Sequence, residues 1–430
     1  MVAQPTPHEQ RNVAAQLEAF LSAERLGLIR HAAAVAAQHG ATAYVVGGTV
    51  RDMLLDRPHG DLDLVVEGNA VLLAQTLADD LGGTIISYAP FGTATWTLPN
   101  GVALDFVMAR RERYQQPAAL PQVEPAALAD DLFRRDFTVN ALAVGLSGAD
   151  YGRLFDMYGG LADLHACRLR VLHDESFVDD PTRILRAVRL AARLGFALEP
   201  HTRDLAMAAL QTGMWERTTP QRLANELQLL FHEPQPERAI AHLAELGALP
   251  HLLPSLGWSA AQAQQFAAAR QARFPNVSLA KLYAGITVYP LTPAQREALI
   301  ARYQPPAPII RLLHDLSRVQ ACMPDLRAAQ RNSQIDHLLH DLDETALRVA
   351  QIVEPQPVPR LIARYLPLRD IKLAVDGSYL LAHGLTPGPQ IGRLLAELRA
   401  AKLDGLVPAA ADEVRWIHAR LQSLRSSQQK

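Results

Sequence analysis

The stretch from Val45 to Glu67, VVGGTVRDMLLDRPHGDLDLVVE, constrains the fold more than any other part of the chain. An apolar strand runs into Gly47 and Gly48, a short helix starts near Thr49, and a second strand over Asp61–Val66 carries Asp61 and Asp63. Paired glycines let the backbone approach a ligand closely, and the first amides of a helix suit an anion. Residues i and i+2 of a strand share a face, so Asp61 and Asp63 point together while Leu62 and Leu64 face the other way. Two such carboxylates can hold Mg²⁺ together with substrate phosphate oxygens and water, which implies in-line transfer at a phosphate. Alone, Gly-Gly reads as a strand-to-helix turn and DxD as a solvated acidic edge. Their combination, with Arg51 adding a positive charge, favours a triphosphate site.

The surrounding pattern is mixed. A helical stretch over 11–39 precedes strands at Thr42–Val46, Asp61–Val66, Thr84–Tyr88, Ala94–Leu98 and Val102–Met108, and Pro99-Asn100-Gly101 turns the last two into a hairpin. From about Asp180 onward the apolar spacing becomes helical, which predicts an all-helical remainder. Breaks are expected at Leu249–Gly257, Pro305–Pro308 and Pro355–Pro359.

At 430 residues, 49% apolar and 20% charged, the chain has the material for several packed modules and no disorder signature. Cys167 and Cys322 lie far apart, which suggests neither a disulfide framework nor a zinc site. The N-terminus lacks a basic start followed by an apolar run, so the expectation is a cytoplasmic protein with no membrane association. A formal charge of −2 confines any nucleic-acid surface to local patches. Arginine supplies most of the positive charge, with lysine only at Lys281, Lys372, Lys402 and Lys430.

Three further segments and two His-Asp pairs carry side chains in chemically suggestive patterns. In RRDFTVNAL, a carboxylate on Asp136 can accept from a ribose hydroxyl while Arg134 and Arg135 neutralise phosphate, although the triplet alone reads as a surface salt bridge. In DDPTRILRAVRLAARLGF, Pro181 opens a helix on which Arg183, Arg186, Arg189 and Arg193 share a face. Asp180 and Arg183 could project side by side and offer acceptor and donor edges to a base, or Asp180 could simply cap an exposed basic stripe. In QRLANEL, Arg222 and Glu226 form an i, i+4 pair. His314-Asp315 and His340-Asp341 do not converge in sequence as a metal site requires, and we read them as exposed helix residues.

With these residues in view, the chain resembles the nucleotidyltransferase superfamily, in particular the bacterial and eukaryotic CCA-adding tRNA nucleotidyltransferases, whose first motif reads GGxVRDxLL followed by DxD. Gly47, Gly48, Val50, Arg51, Asp52, Leu54, Leu55, Asp61 and Asp63 match it. The resemblance implies that Asp61 and Asp63 are catalytic metal ligands, that Gly47, Gly48 and Arg51 seat the triphosphate, and that Arg134, Arg135 and Asp136 recognise the ribose. It further implies that Asp180 and Arg183, in a motif whose usual Glu is here Asp179, select the base, with Arg186 and Arg189 nearby. GGLADLHACRLR at 159–170 is similar to a hinge-like family motif, QRLANEL to ERxxxEL with Gln221 in place of the acid, and DGSYLLAHGLTPGPQIGRLLAEL at 376–398 to the tail. Asp105 is a candidate third carboxylate and equally an ordinary strand aspartate.

The fold implied is α+β: a mixed α/β nucleotidyltransferase head with an antiparallel-rich sheet at 1–170, then a helical neck at 171–255, a body at 256–355 and a tail at 356–430. The activity implied is template-independent addition of CMP and/or AMP from CTP and ATP to the 3′ end of tRNA, with Mg²⁺ as cofactor and no stable protein partner. Bacterial poly(A) polymerases share the head and neck motifs, but the mildly basic end RLQSLRSSQQK and the tail segment favour the tRNA enzyme. A retired RNA-binding module and a small-molecule nucleotidyltransferase fit less well, because the aspartates are intact and the helical half is long. The segment Arg113–Asp130 keeps the length of a mobile functional loop, which leans toward an enzyme able to add A.

Overall fold

The computed structural model describes residues 11–428 without His59, Asp61, Gln115, Pro117, Ala119, Leu120 and Leu253, and side chains as far as residue 424. The chain forms two compact units that meet in sequence at Pro254 and Ser255, inside the predicted break at Leu249–Gly257. The expected α+β architecture, an N-terminal sheet followed by helices, is what the chain adopts.

The predicted helical stretch at the N-terminus is two helices, α1 (Ala14–Phe20) and α2 (Ala23–Gln38). Ser22 separates them because its side chain accepts from the Arg25 amide and starts α2 afresh. There follow β1 (Thr42–Val46), α3 (Gly48–Leu54), β2 (Asp63–Glu67), α4 (Ala70–Leu81), β3 (Thr84–Tyr88), β4 (Thr93–Thr97) and β5 (Ala103–Met108). A short pair, β6 (Arg110–Arg113) and β7 (Gln122–Pro125), leads to α5 (Leu128–Phe133), β8 (Leu142–Gly145), β9 (Leu154–Asp156) and α6 (Gly160–His165).

Seven strands form one sheet in the order β3-β4-β5-β2-β1-β8-β9, in which only β2 and β5 run parallel. The period-two alternation divides its side chains between two faces. On one, α4 packs over β3, β4 and β5 and helps to bury Trp96, Leu104 and Phe106. On the other, Leu128 and Leu132 of α5 cluster with Tyr44, Val46, Val65 and Ala143. The predicted hairpin is β4–β5, and the predicted mobile segment Arg113–Asp130 starts at the last residue of β6 and includes β7, its antiparallel partner.

The rest of the first unit comprises β10 (Arg168–Leu169), α7 (Ser176–Asp179), α8 (Thr182–Leu194), β11 (Ala197–Leu198), α9 (Pro200–Gln211), α10 (Met214–Arg217), α11 (Pro220–Phe231) and α12 (Pro236–Glu245), before a last turn at Leu249–Leu252. The expectation of helices alone beyond Asp180 needs one correction, because β11 pairs in parallel with β10. Two residues are too few for alternation to announce a strand.

Within the second unit, Phe266, Tyr283, Ile286, Leu312, Leu316 and Leu347 are buried, and the Phe266 and Tyr283 rings stack at 4.6 Å. A separate cluster toward the C-terminus gathers Val375, Leu380, Leu394, Leu398 and Ile417. The proline clusters separate the helix Pro293–Tyr303 from Ala307–Ala321, and Glu344–Val353 from Val358–Tyr365. Among the described residues, no helix is long and apolar enough to cross a membrane.

Candidate active site

β1 delivers the chain into Gly47, whose φ of 69° belongs to the left-handed region. A Cβ at this position would sit 2.7 Å from Nη1 of Arg135, so a larger residue is strained by torsion and would have to displace the Arg135 guanidinium. α3 begins at Gly48 and carries Arg51 inward. Arg51 is only 4% exposed; it donates to Asp52 at 2.8 and 2.9 Å and to Oδ1 of Asn140 at 2.6 Å. Its charge braces the turn from behind instead of lying open to a ligand.

Asp63 is the first residue of β2, and the parallel register sets it beside Asp105 of β5. Thr95 of β4 lies opposite Asp105 and donates to its Oδ1. Registered residues share a face, so Asp63, Asp105 and Thr95 form one row. Val45 pairs with Leu64, which brings the end of β1, and with it the glycine turn, next to the start of β2. Asp61 lies outside the described residues.

The Arg-Asp triplet, in the turn after α5 that leads toward β8, approaches the same glycine turn. Arg134 pairs with Asp131 at 2.6 Å and Glu112 at 3.1 Å, and Arg135 pairs with Asp131 at 3.0 Å. Burial pushes the Asp131 carboxyl up, but Arg135 and Arg134 outweigh it and hold the group below the usual carboxylate range. The triplet's arginines are therefore ion-paired, but to the buried carboxylates Asp131 and Glu112 and not in a surface salt bridge. Arg135 nevertheless keeps a buried Nε without a hydrogen-bond partner, beside the glycine turn. Asp136 accepts from Nδ2 of Asn140 at 2.9 Å and pairs with Arg186 at 2.7 Å. Burial pushes its carboxyl up; Arg186, Asn140 and Arg183 more than reverse this and hold it far below the ordinary range.

The basic stripe of α8 is only partly exposed, at Arg186 and Arg193, and its charges are taken up by ion pairs and hydrogen bonds. Arg183 is 5% exposed and donates to Oγ of Ser176 and to the carbonyl of Arg134, both at 2.6 Å. Arg186 bridges Asp136 and Glu226, Arg189 bridges Glu226 and Glu233, and Arg193 pairs with Glu233. The expected neighbour of Asp180 was Arg183, yet Asp180 pairs with Arg222 of α11 at 2.7 Å and accepts from Thr182. The i, i+4 pairing of Arg222 with Glu226 is accordingly replaced: Glu226 serves α8 and Arg222 serves Asp180, with a further bond to the Ala118 carbonyl at 3.2 Å.

These bonds join the motifs into one chain of side chains, Asp52–Arg51–Asn140–Asp136–Arg186–Glu226–Arg189–Glu233–Arg193. Sequence reasoning passed over Asp131, Asn140 and Glu233. Asp131 was findable from its spacing of three and four residues to Arg134 and Arg135 on one short helix. Glu233 comes to α8 from the turn after α11, a pairing that no local spacing announces.

The stretch expected to be hinge-like supplies a buried tie: Asp163 accepts from Thr138 at 2.6 Å and Arg170 at 2.8 Å, and a Cβ on Gly160 would meet the Thr138 carbonyl at 2.2 Å. In the second unit, His314 pairs with Glu297 at 3.0 Å and His340 with Asp341 at 3.1 Å. Among the described residues no cluster of three or more His, Cys, Asp or Glu side chains is placed to hold a metal. Two carboxylates in register remain a fitting donor set for a hard divalent cation that takes its other ligands from phosphate and water.

A glycine turn feeding a short helix, an acidic row on the adjoining strands and an Arg-Asp unit over the turn define a nucleotidyltransferase head. The comparisons agree: residues 43–170 match the family described as "Poly A polymerase head domain", and residues 195–258 the one described as "Probable RNA and SrmB-binding site of polymerase A". The chain is 31% identical to the A-adding tRNA nucleotidyltransferase of Halalkalibacterium halodurans over 92% of each chain. It is 35% identical to the CC-adding tRNA nucleotidyltransferase of Deinococcus radiodurans over 88% of this chain and 89% of that one. Its structure is similar to that of the Thermotoga maritima CCA-adding enzyme complexed with tRNA-CCA, with a TM-score of 0.77, 28% identity, and coverage of 96% of this chain and 100% of that one. The chain belongs to the tRNA nucleotidyltransferase family. Nucleotidyltransferases of this family generally use a divalent metal.

Proposed function

We propose that the chain transfers AMP from ATP, and CMP from CTP where the acceptor lacks it, onto the 3′ end of tRNA, with release of pyrophosphate. The observation that carries this reading is the register of Asp63 beside Asp105, next to the Gly47–Gly48 turn and the Arg135–Asp136 pair. Asp63 and Asp105, with Asp61 from the sequence, would hold the metal, which we take to be Mg²⁺. Bound there, a divalent cation supplies charge neutralisation for phosphate oxygens and lowers the pKa of a coordinated hydroxyl.

The protein's own part is positioning. Gly47 and Gly48 present a backbone without side chains to the triphosphate, and Arg135 brings a guanidinium whose Nε is still free to donate. Asp136, kept ionised by Arg186, is an acceptor for a ribose hydroxyl, the feature that separates an NTP from a dNTP. Asp180 and Arg183 select the base by the family resemblance. In the state described here Asp180 is engaged by Arg222, so base selection requires that pair to open or to be read as a unit. We also propose the finer division into head, neck, body and tail, and the cytoplasm, where tRNA and nucleoside triphosphates meet, as the place of action.

AMP addition is supported by the retained length of the segment Arg113–Asp130 and by the A-adding relative. CC addition alone is the second reading, favoured by the similarity to the CC-adding relative. The test is incubation with transcripts ending at the discriminator base, at C and at CC, each with labelled ATP or CTP. AMP addition to the CC-ended transcript is expected, and growth that stops at CC would replace this reading with the second.

A further inference from the structure

We propose that the exposed edge of the sheet, β3 with the turn that follows it, is a stacking platform for the single-stranded 3′ end of the RNA acceptor. This rests on the nucleotidyl-transfer reading above. β3 is an edge strand, and beside the exposed Thr84 and Ser87 it leaves two large apolar side chains in water: Ile86 is 78% and Tyr88 56% exposed. A water-facing edge strand ordinarily carries charges or proline, so two large apolar side chains there call for a partner.

The chain leaves β3 through the tight turn Ala89–Phe91, and Gly92, at φ 59°, reverses it into β4. The turn folds the Phe91 ring onto Tyr88, with centroids 5.4 Å apart and planes 20° from parallel. Arg110 holds Phe91 from behind, its guanidinium carbon 5.3 Å from the ring centre and its Nη1 2.7 Å from the Phe91 carbonyl. The outcome is a fixed aromatic face backed by a cation, the composition that binds single-stranded nucleic acid without reading its sequence.

Its location relative to the acidic row argues for the RNA end as occupant. Ile86 pairs with Thr95, Thr95 with Asp105 and Asp105 with Asp63, so all four lie in one row on one face of the sheet. At about 4.8 Å between strands, Ile86 lies about 14 Å from Asp63. That distance is covered by about four nucleotides at ~3.4 Å each. The groups proposed for the triphosphate and ribose, Gly47, Gly48, Arg135 and Asp136, all lie on the β1 and β8 side of Asp63. In-line displacement needs the attacking hydroxyl opposite the leaving pyrophosphate, so the acceptor must arrive from the β5, β4 and β3 side. The platform stands on that path.

The test places 2-aminopurine at the penultimate position of a CC-ended tRNA and follows its fluorescence on adding the full-length protein without nucleotide, then measures KM for tRNA and for ATP. Quenching by the wild type and by Tyr88→Phe, but not by Tyr88→Ala, is expected. Tyr88→Ala and Ile86→Ser should also raise KM for tRNA about tenfold while KM for ATP and the circular dichroism spectrum stay unchanged. AMP incorporation with quenching indifferent to Tyr88 would overturn the platform and leave the transfer reading standing. Tyr88-dependent quenching without incorporation would uphold the platform and overturn the transfer reading. Should Tyr88→Ala instead dissolve an oligomer seen by light scattering while leaving quenching intact, the face joins two copies of the chain and the proposal fails.

Discussion

Gly47 combines two constraints that act on the same atom. Its φ of 69° costs a side chain torsional strain, and the space a Cβ would fill is taken by the Arg135 guanidinium 2.7 Å away. Gly47→Ala is expected to lose about 1–3 kcal/mol of stability in urea unfolding. It should also raise KM for ATP, because Arg135 is displaced from the turn. Stability equal to wild type would show that the turn relaxes freely. His173 offers a test by pH. Burial, with Arg183 adding to it, lowers its pKa to about 4, and its ring packs on Phe133 at 5.3 Å. The folded state keeps this imidazole neutral while the unfolded chain protonates near 6.5, so its contribution to stability is full above that value and is lost as pH falls toward 4. Between pH 7 and pH 5 the loss should be about 2 kcal/mol, and His173→Phe should flatten that part of the urea midpoint curve.

At the scale of elements, α8 depends on ion pairs supplied from elsewhere in the chain. Glu233 is buried and serves both Arg189 and Arg193, while Glu226 serves Arg186 and Arg189. Glu233→Ala removes one of the two carboxylates that pair with the largely buried Arg189 and should cost about 1–2 kcal/mol in chemical denaturation, whereas an exposed ladder would cost a few tenths. Here the limits of the sequence become concrete. The four arginines and their shared face were readable from spacing, and β1, β3 and the β4–β5 hairpin were readable from alternation and the Pro-Asn-Gly turn. The partners of those arginines were not, because the carboxylates that pair with Arg186, Arg189 and Arg193 lie about forty to fifty residues away. For the same reason Asp180 was matched with Arg183, its neighbour on the helix, and not with Arg222. The glycine turn and the aspartates could be read because each acts through local geometry, while the pairing of Asp63 with Asp105 depends on which strands become neighbours.

Taken whole, the first unit holds every residue proposed for the chemistry, from the glycine turn through the acidic row to the α8 network, and the second is a helical assembly with its own buried cores. The division keeps the residues proposed for the chemistry, sheet and adjoining helices together, in one unit. It also makes the acidic row, where Asp63 lies in register with Asp105, the point on which the account turns. The most direct measurement is therefore AMP incorporation into CC-ended tRNA by wild type, Asp63→Asn and Asp105→Asn, at saturating ATP and Mg²⁺, with folding checked by circular dichroism. The account predicts that each substitution lowers the rate about 100-fold or more while tRNA binding is retained. Incorporation at the wild-type rate by Asp63→Asn would contradict it.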